Sequence, residues 1–250
     1  MNPAESLAQF VPGVPALEPM VTLPSGTILY GFATRSDAAV DWWKRLIAVS
    51  SQTRLQPIAM YPTEYQWLTD VSGLRAESTE DLLAEALTID GDALLRNYGW
   101  NDMPDDVADG TLAGGRWPEN AIRYMIDDLG IGIFVREVYD TTILLVPAAE
   151  PWQIPCVLRI NGWNGYPSAA PHAAILRHFA ETYDARLYNM GHDGASLVLG
   201  RPPTDRPAAV KAAWEYQSYC DTAYDVYGSN NLLDIAACLL NADVWHCWWD

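Results

Sequence analysis

The last eight residues, Asp243-Val244-Trp245-His246-Cys247-Trp248-Trp249-Asp250, place three tryptophans within the final six positions. Termini usually fray, whereas an alternating, aromatic-rich run reads as a β-strand. The chain is therefore expected to close its fold on this segment. Alternation sends Trp245, Cys247 and Trp249 to one face and Val244, His246 and Trp248 to the other. One set should pack on helices. The second must meet the N-terminal half or stay exposed as a binding patch.

The preceding hundred residues supply those helices. Ile154–Ile160 reads as a strand and Gly162–Pro167 as a turn-rich loop. A helix is predicted from Ser168 to Tyr183. Arg186–Met190 and Ala195–Leu199 form a hairpin through Gly191-His192-Asp193-Gly194. Thr204 caps a helix to Cys220, and a shorter one covers Leu232–Leu240. The order β-α-β-β-α-α-β predicts an α+β fold, specifically a ferredoxin-like, split β-α-β antiparallel sandwich over residues 151–250.

Upstream, prolines 3, 12, 15, 19 and 24 favour an extended lead-in over residues 1–24. Residues 25–150 read as an acidic α/β half packed on the C-terminal sandwich. Strands are expected at Thr27–Phe32, Leu55–Tyr61, Ile133–Val138 and Thr141–Val146, with Pro57 placing the second at a sheet edge. Ser36 caps a helix to Val49. Ser78 with Asp81 makes a capping box, Asp90 caps a helix to Tyr98, and Pro118–Leu129 reads as another helix.

Charge is unevenly spread. The net charge is −17, and Glu64–Asp128 holds fifteen acids against Arg75, Arg96, Arg116 and Arg123, a local −11. A nucleic-acid binder needs the opposite sign. No apolar run is long enough to span a bilayer, and no secretory segment precedes the first element, so a cytoplasmic, soluble protein without membrane attachment is expected. Cys156, Cys220, Cys238 and Cys247 lack paired spacing and lie in apolar surroundings, as reduced core cysteines do.

The succession Val146-Pro147-Ala148, Trp152, Pro155, Gly162-Trp163-Asn164, Pro167, His172, Leu176-Arg177, Tyr183, Arg201-Pro202-Pro203, Tyr219-Cys220 and Trp248-Trp249-Asp250 resembles the bacterial domain-of-unknown-function family numbered 4253. The likeness runs over about residues 143–250. The family commonly carries Cys-Pro after the Trp-Asn, where this chain has Tyr166-Pro167. The resemblance implies a fold and assigns no activity.

Motifs for chemistry are sparse. No G-x-S-x-G elbow, H-E-x-x-H, paired Cys/His spacing, Walker or G-x-G-x-x-G pattern occurs, so neither a cofactor nor a bound metal is expected. His172, Leu176, Phe179 and Tyr183 share one helical stripe facing the sheet, which leaves His178 on the solvent side. Two functional classes follow. The first is a binding protein of the toxin-immunity kind, presenting Glu64, Trp67, Glu80, Asp81, Trp100, Asp102, Asp105 and Asp106 to a basic protein partner. The second is an enzyme or small-ligand binder whose pocket joins Trp163, Asn164, His172, Arg177 and Arg201. The first is favoured because no catalytic set is assembled. Sequence alone leaves the oligomeric state open.

Overall fold

In the computed structural model, residues 3–61, 67–69, 77–98, 103–131, 138–160, 166–220 and 222–249 are described. Seven strands form one sheet: β1 (Glu18–Thr22), β2 (Ile28–Arg35), β3 (Leu55–Met60), β4 (Asp140–Pro147), β5 (Ala185–Met190), β6 (Gly194–Leu199) and β7 (Val244–Trp248). Their spatial order is β1-β2-β4-β3-β5-β6-β7. Every pairing is antiparallel except β3 with β5, where the register is the single match Ala59↔Asn189. The fold is therefore mixed α+β, with strands from both parts of the chain in one sheet.

That order replaces the split β-α-β arrangement. The expected unit opens on a strand at Ile154–Ile160, but no strand forms there and β6 pairs directly with β7. Ile154–Leu158, read as a strand from sequence, is a helix with all five side chains buried. A short apolar run has no periodicity to distinguish the two states when every side is covered. The extended lead-in is also corrected: Pro3–Phe10 is helical, Glu18–Thr22 is an edge strand, and Leu7 and Val11 are buried.

The helices, in chain order, are α1 (Pro3–Phe10), α2 (Ser36–Ile47), α3 (Ser50–Thr53), α4 (Thr79–Thr88), α5 (Gly91–Tyr98), α6 (Asp105–Ala108), α7 (Ile154–Leu158), α8 (Ala169–Tyr183), α9 (Arg206–Tyr219), α10 (Ala223–Tyr227) and α11 (Leu232–Leu239). The Ser78–Asp81 capping box forms at the start of α4. Asp90 Oδ1 accepts from the amides of Asp92 and Ala93 at 3.1 Å and so caps α5. The cap of α9 is Asp205 in place of Thr204. Ser36 is the first residue of α2, and its hydroxyl accepts instead from Tyr139 N at 3.1 Å. Residues 118–125 are not helical; a 3-10 turn spans Ile126–Ile131. Tertiary bonds hold this stretch: Arg123 to Leu240 O, Tyr124 to Val226 O, and Ile126 N to Asp243 Oδ1. Of the expected strand Ile133–Val138, all but Val138 lies outside the described residues.

Pro57 occupies a central strand, contrary to the edge position expected of a residue with no N–H. Two facts reconcile this. The β3–β5 pairing is short, and other donors serve the seam: Trp43 Nε1 donates to Pro57 O at 3.1 Å and to Leu187 O at 3.0 Å. Asn189 Nδ2 donates to Ala59 O at 3.0 Å. One sheet face buries Trp245, Cys247 and Trp249 with Leu187, Leu197 and Val146 against side chains of α8, α9 and α11. The opposite face packs Phe32, Ile143, Leu145, Tyr188 and Val244 under Val40, Trp43 and Ile47 of α2, with Leu129 beyond. The alternation read from the last strand is the one observed.

Candidate functional site

Among the described residues, the cover on the second face stops short. Beyond Leu129 the sheet opens into a cavity of about 430 Å³ over β3, β5, β6 and β7. Its wall includes Tyr61, Tyr139, Tyr188 and Trp248, and its polar groups include Thr141, Asn189, Asp193, Ser196 and His246. Tyr61 and Tyr139 stack on each other with ring centroids 4.6 Å apart. No lysine or arginine is among the described lining residues, and Asp193 is their one carboxylate.

The strand register builds the polar floor. Ser196 and His246 are direct cross-strand partners, the positions that approach most closely on a shared face. Ser196 Oγ and His246 Nδ1 are 2.9 Å apart. The edge of the Tyr124 ring abuts the imidazole at 4.7 Å, and His246 Nε2 is buried without a hydrogen-bond partner among the described residues. Burial holds the His246 pKa down at about 3, so the ring is neutral at pH 7. Burial, reinforced by Tyr61, raises the pKa of the Tyr188 phenol and keeps it protonated. A register irregularity between Leu187 and Asn189 brings both Tyr188 and Asn189 to the cavity.

A serine beside a histidine invites comparison with an activated nucleophile. That chemistry needs a base that takes a proton near neutral pH and donors for an oxyanion. His246 is too weak a base, and Ser196 lies within the strand ladder rather than at a turn with free amides. The hydrogen bond between them fixes the imidazole in the wall of the cavity.

The residues singled out from sequence fall elsewhere. His172 is fully buried, hydrogen-bonded through Nε2 to the Tyr219 hydroxyl and surrounded by Tyr166 and Trp249. Burial lowers its pKa to about 3, against a smaller opposing pull from the Pro167 carbonyl. Arg177 donates to Ile89 O at 2.8 Å and lies over the Trp152 ring. Arg201 donates to Glu181 O. These three therefore engage separate partners; Trp163 and Asn164 lie outside the described residues. Of the acidic set, Glu80, Asp81, Asp105 and Asp106 are exposed. Trp67 is half-buried against the core, edge-on to His192 at 6.1 Å, while Glu64, Trp100 and Asp102 lie outside the described residues.

His178 is not on the solvent side. It turns toward α9, with Nε2 3.4 Å from Glu215 Oε1, and Asp92 of α5 completes a group whose ligand atoms lie within 4.8 Å of one another. The four cysteines are free and buried, and burial pushes the Cys156 thiol up to about 12, which leaves it unreactive. Among the described residues, no helix is long and apolar enough to cross a membrane.

Ser196, Asn189 and Tyr188 were missed by motif reading because nothing in their spacing is distinctive. The one available signal was strand alternation, which set His246 apart from the tryptophans beside it. No curated protein and no solved structure matches the chain. Residues 142–250 match a family model; they supply β5–β7 and most of β4, whereas Ala59, Tyr61, Leu129, Tyr139 and Thr141 of the cavity come from outside the matched region. The family model that residues 142–250 match is the one described as Domain of unknown function (DUF4253).

Proposed function

We propose that this protein binds a small organic molecule, neutral or cationic, in the cavity on the second sheet face. The observation that carries this reading is the composition of the cavity wall: four aromatic rings, a carboxylate and the buried Ser196–His246 pair, with no described basic residue. Ligand sites are typically apolar concavities of roughly 300–1,000 Å³ with a few fixed polar groups. Aromatic faces beside a carboxylate favour an amine or quaternary ammonium, and an anion would meet Asp193 with no described cation to balance it. A ligand-observed NMR screen of matched amines, neutral amides and carboxylates tests the idea. Amines and amides should bind and compete with one another, and Tyr188→Ala should abolish their binding. Preferential binding of the carboxylates would overturn it.

A second reading rests on the exposed acids of α4 and α6. Glu80, Asp81, Glu85, Asp105 and Asp106 all face solvent, as a surface that steers a basic partner would require. A toxin-immunity role is the specific form of this reading. Reversing Glu80, Asp105 and Asp106 to lysine should slow association with a cognate basic protein; an unchanged association rate removes the surface from consideration.

A further inference from the structure

We propose that Asp92, His178 and Glu215 form a binding site for a first-row divalent cation such as Zn²⁺. The three residues come from α5, α8 and α9, elements far apart in the chain, and no sequence spacing announces them. Their candidate ligand atoms nevertheless lie within 4.8 Å of one another.

The spacing inside the cluster is informative. His178 Nε2 and Glu215 Oε1 are 3.4 Å apart, long for a charge-assisted hydrogen bond of about 2.7–2.9 Å. Ligands at about 2.0–2.2 Å from a tetrahedral ion are separated by roughly 3.3–3.6 Å, which is the distance observed. A second observation concerns Asp92. Its Oδ2 pairs with Arg96 at 2.5 Å, whereas its Oδ1 is buried and has no hydrogen-bond partner among the described residues. An unpartnered buried carboxylate oxygen is destabilising, and a cation between it and His178 would satisfy it.

Glu215 is fully buried, and its other oxygen, Oε2, accepts from the Tyr183 hydroxyl at 2.6 Å. That bond orients the carboxylate and leaves Oε1 toward the cluster, as an outer-shell partner does for a metal ligand. Gly91 allows the convergence: a Cβ there would collide with Ala174 O and approach His178 Cβ to 2.9 Å, so only glycine lets α5 begin this close to α8. His178 also lines a separate surface cavity at the α4–α5 turn, which gives a path from solvent.

Two resident cations bear on the site. Arg96 holds the outer oxygen of Asp92 and does not compete for Oδ1. Lys211 Nζ lies 3.6 Å from Glu215 Oε1, but its side chain is half-exposed and can swing into water. One nitrogen and two carboxylate ligands suit zinc, cobalt or manganese; calcium takes six to eight oxygens. A bound ion would tie α5, outside the matched family region, to α8 and α9 within it.

Titration of the full-length, chelator-treated protein with ZnCl₂ by calorimetry tests the site. The expected result is one ion per chain, with binding weakened at least about tenfold in His178→Ala and in Asp92→Asn. Both variants spare the fully buried Glu215, and unchanged circular dichroism establishes that they fold. Lys211→Ala should retain or tighten binding, because it removes a competing cation. Absence of saturable binding, wild-type affinity in both ligand variants, or loss of binding in Lys211→Ala would each overturn the proposal.

Discussion

The two faces of the sheet are built from the same strands and do different things. On the first, Trp245 is fully buried and meets Phe179, Tyr183 and Tyr216 at centroid distances of 5.5, 4.9 and 6.1 Å, mostly edge to face. The buried side chains of that face share one core with those of α8, α9 and α11. On the second, α2 covers one end and a cavity of about 430 Å³ occupies the other. Adjacent residues of β7 fall on opposite sides of this division, so one strand supplies both an anchor for the core and a wall for a site.

Substitutions on β7 give the sharpest contrast. Trp245→Ala should destabilise the protein by about 3–5 kcal/mol, since deletion of a buried indole leaves a cavity that its neighbours cannot fill. Trp248, half-buried beside the open cavity, should cost well under half as much. Urea unfolding of both variants measures the difference. Equal losses would mean that the second face is as tightly packed as the first.

How far the sequence discloses this arrangement depends on which physical signal each element carries. β7 is legible because alternation is a local property, and the capping box at Ser78 is legible because its two partners lie three residues apart. Ile154–Leu158 is not, because a run buried on every side carries no period. Pro57 misleads because its exclusion from central strands assumes a regular ladder, whereas Trp43 bonds the seam from another element. The polar floor depends on register between β6 and β7, and the cation cluster on the packing of three helices. Both are long-range relations, and the only local trace of either was the face assigned to His246. The pocket expected around His172 rested on helical position alone, which places that residue toward the sheet but does not reveal that Tyr219 and Trp249 seal it.

The buried histidines extend the comparison to solution conditions. His172 lies on the first face and His246 on the second, and burial depresses each pKa from the ordinary 6.5 to about 3. A depressed histidine pKa means that the unfolded chain binds a proton that the folded one refuses. Stability is therefore fully present above pH 6.5 and falls as pH drops toward 3. Between pH 7 and pH 5 each ring contributes a loss of about 2 kcal/mol. Denaturation curves across that interval, above the carboxylate range, should show the slope, and His246→Gln should remove about half of it. A slope unchanged by that substitution would mean that the second face admits water to the ring, in contrast to the first.

The smallest effect separates the faces most clearly in function. Tyr61 is partly exposed and stacks on Tyr139 at the cavity rim. Removing an exposed ring from a stacked pair forfeits about 0.5–1 kcal/mol, so Tyr61→Ala should barely move the urea midpoint. It nevertheless removes one of the aromatic surfaces on which a cationic ligand would rest, and NMR titration with an amine that binds the wild type should show affinity reduced by roughly fivefold to tenfold. On the covered face, packing and stability are one property, and no substitution can alter a site without disturbing the core. On the open face they are separable, because a rim residue such as Tyr61 lies outside the buried core. If Tyr61→Ala lowers stability as much as it lowers affinity, that separation fails and the cavity is a thin place in the core, not a site.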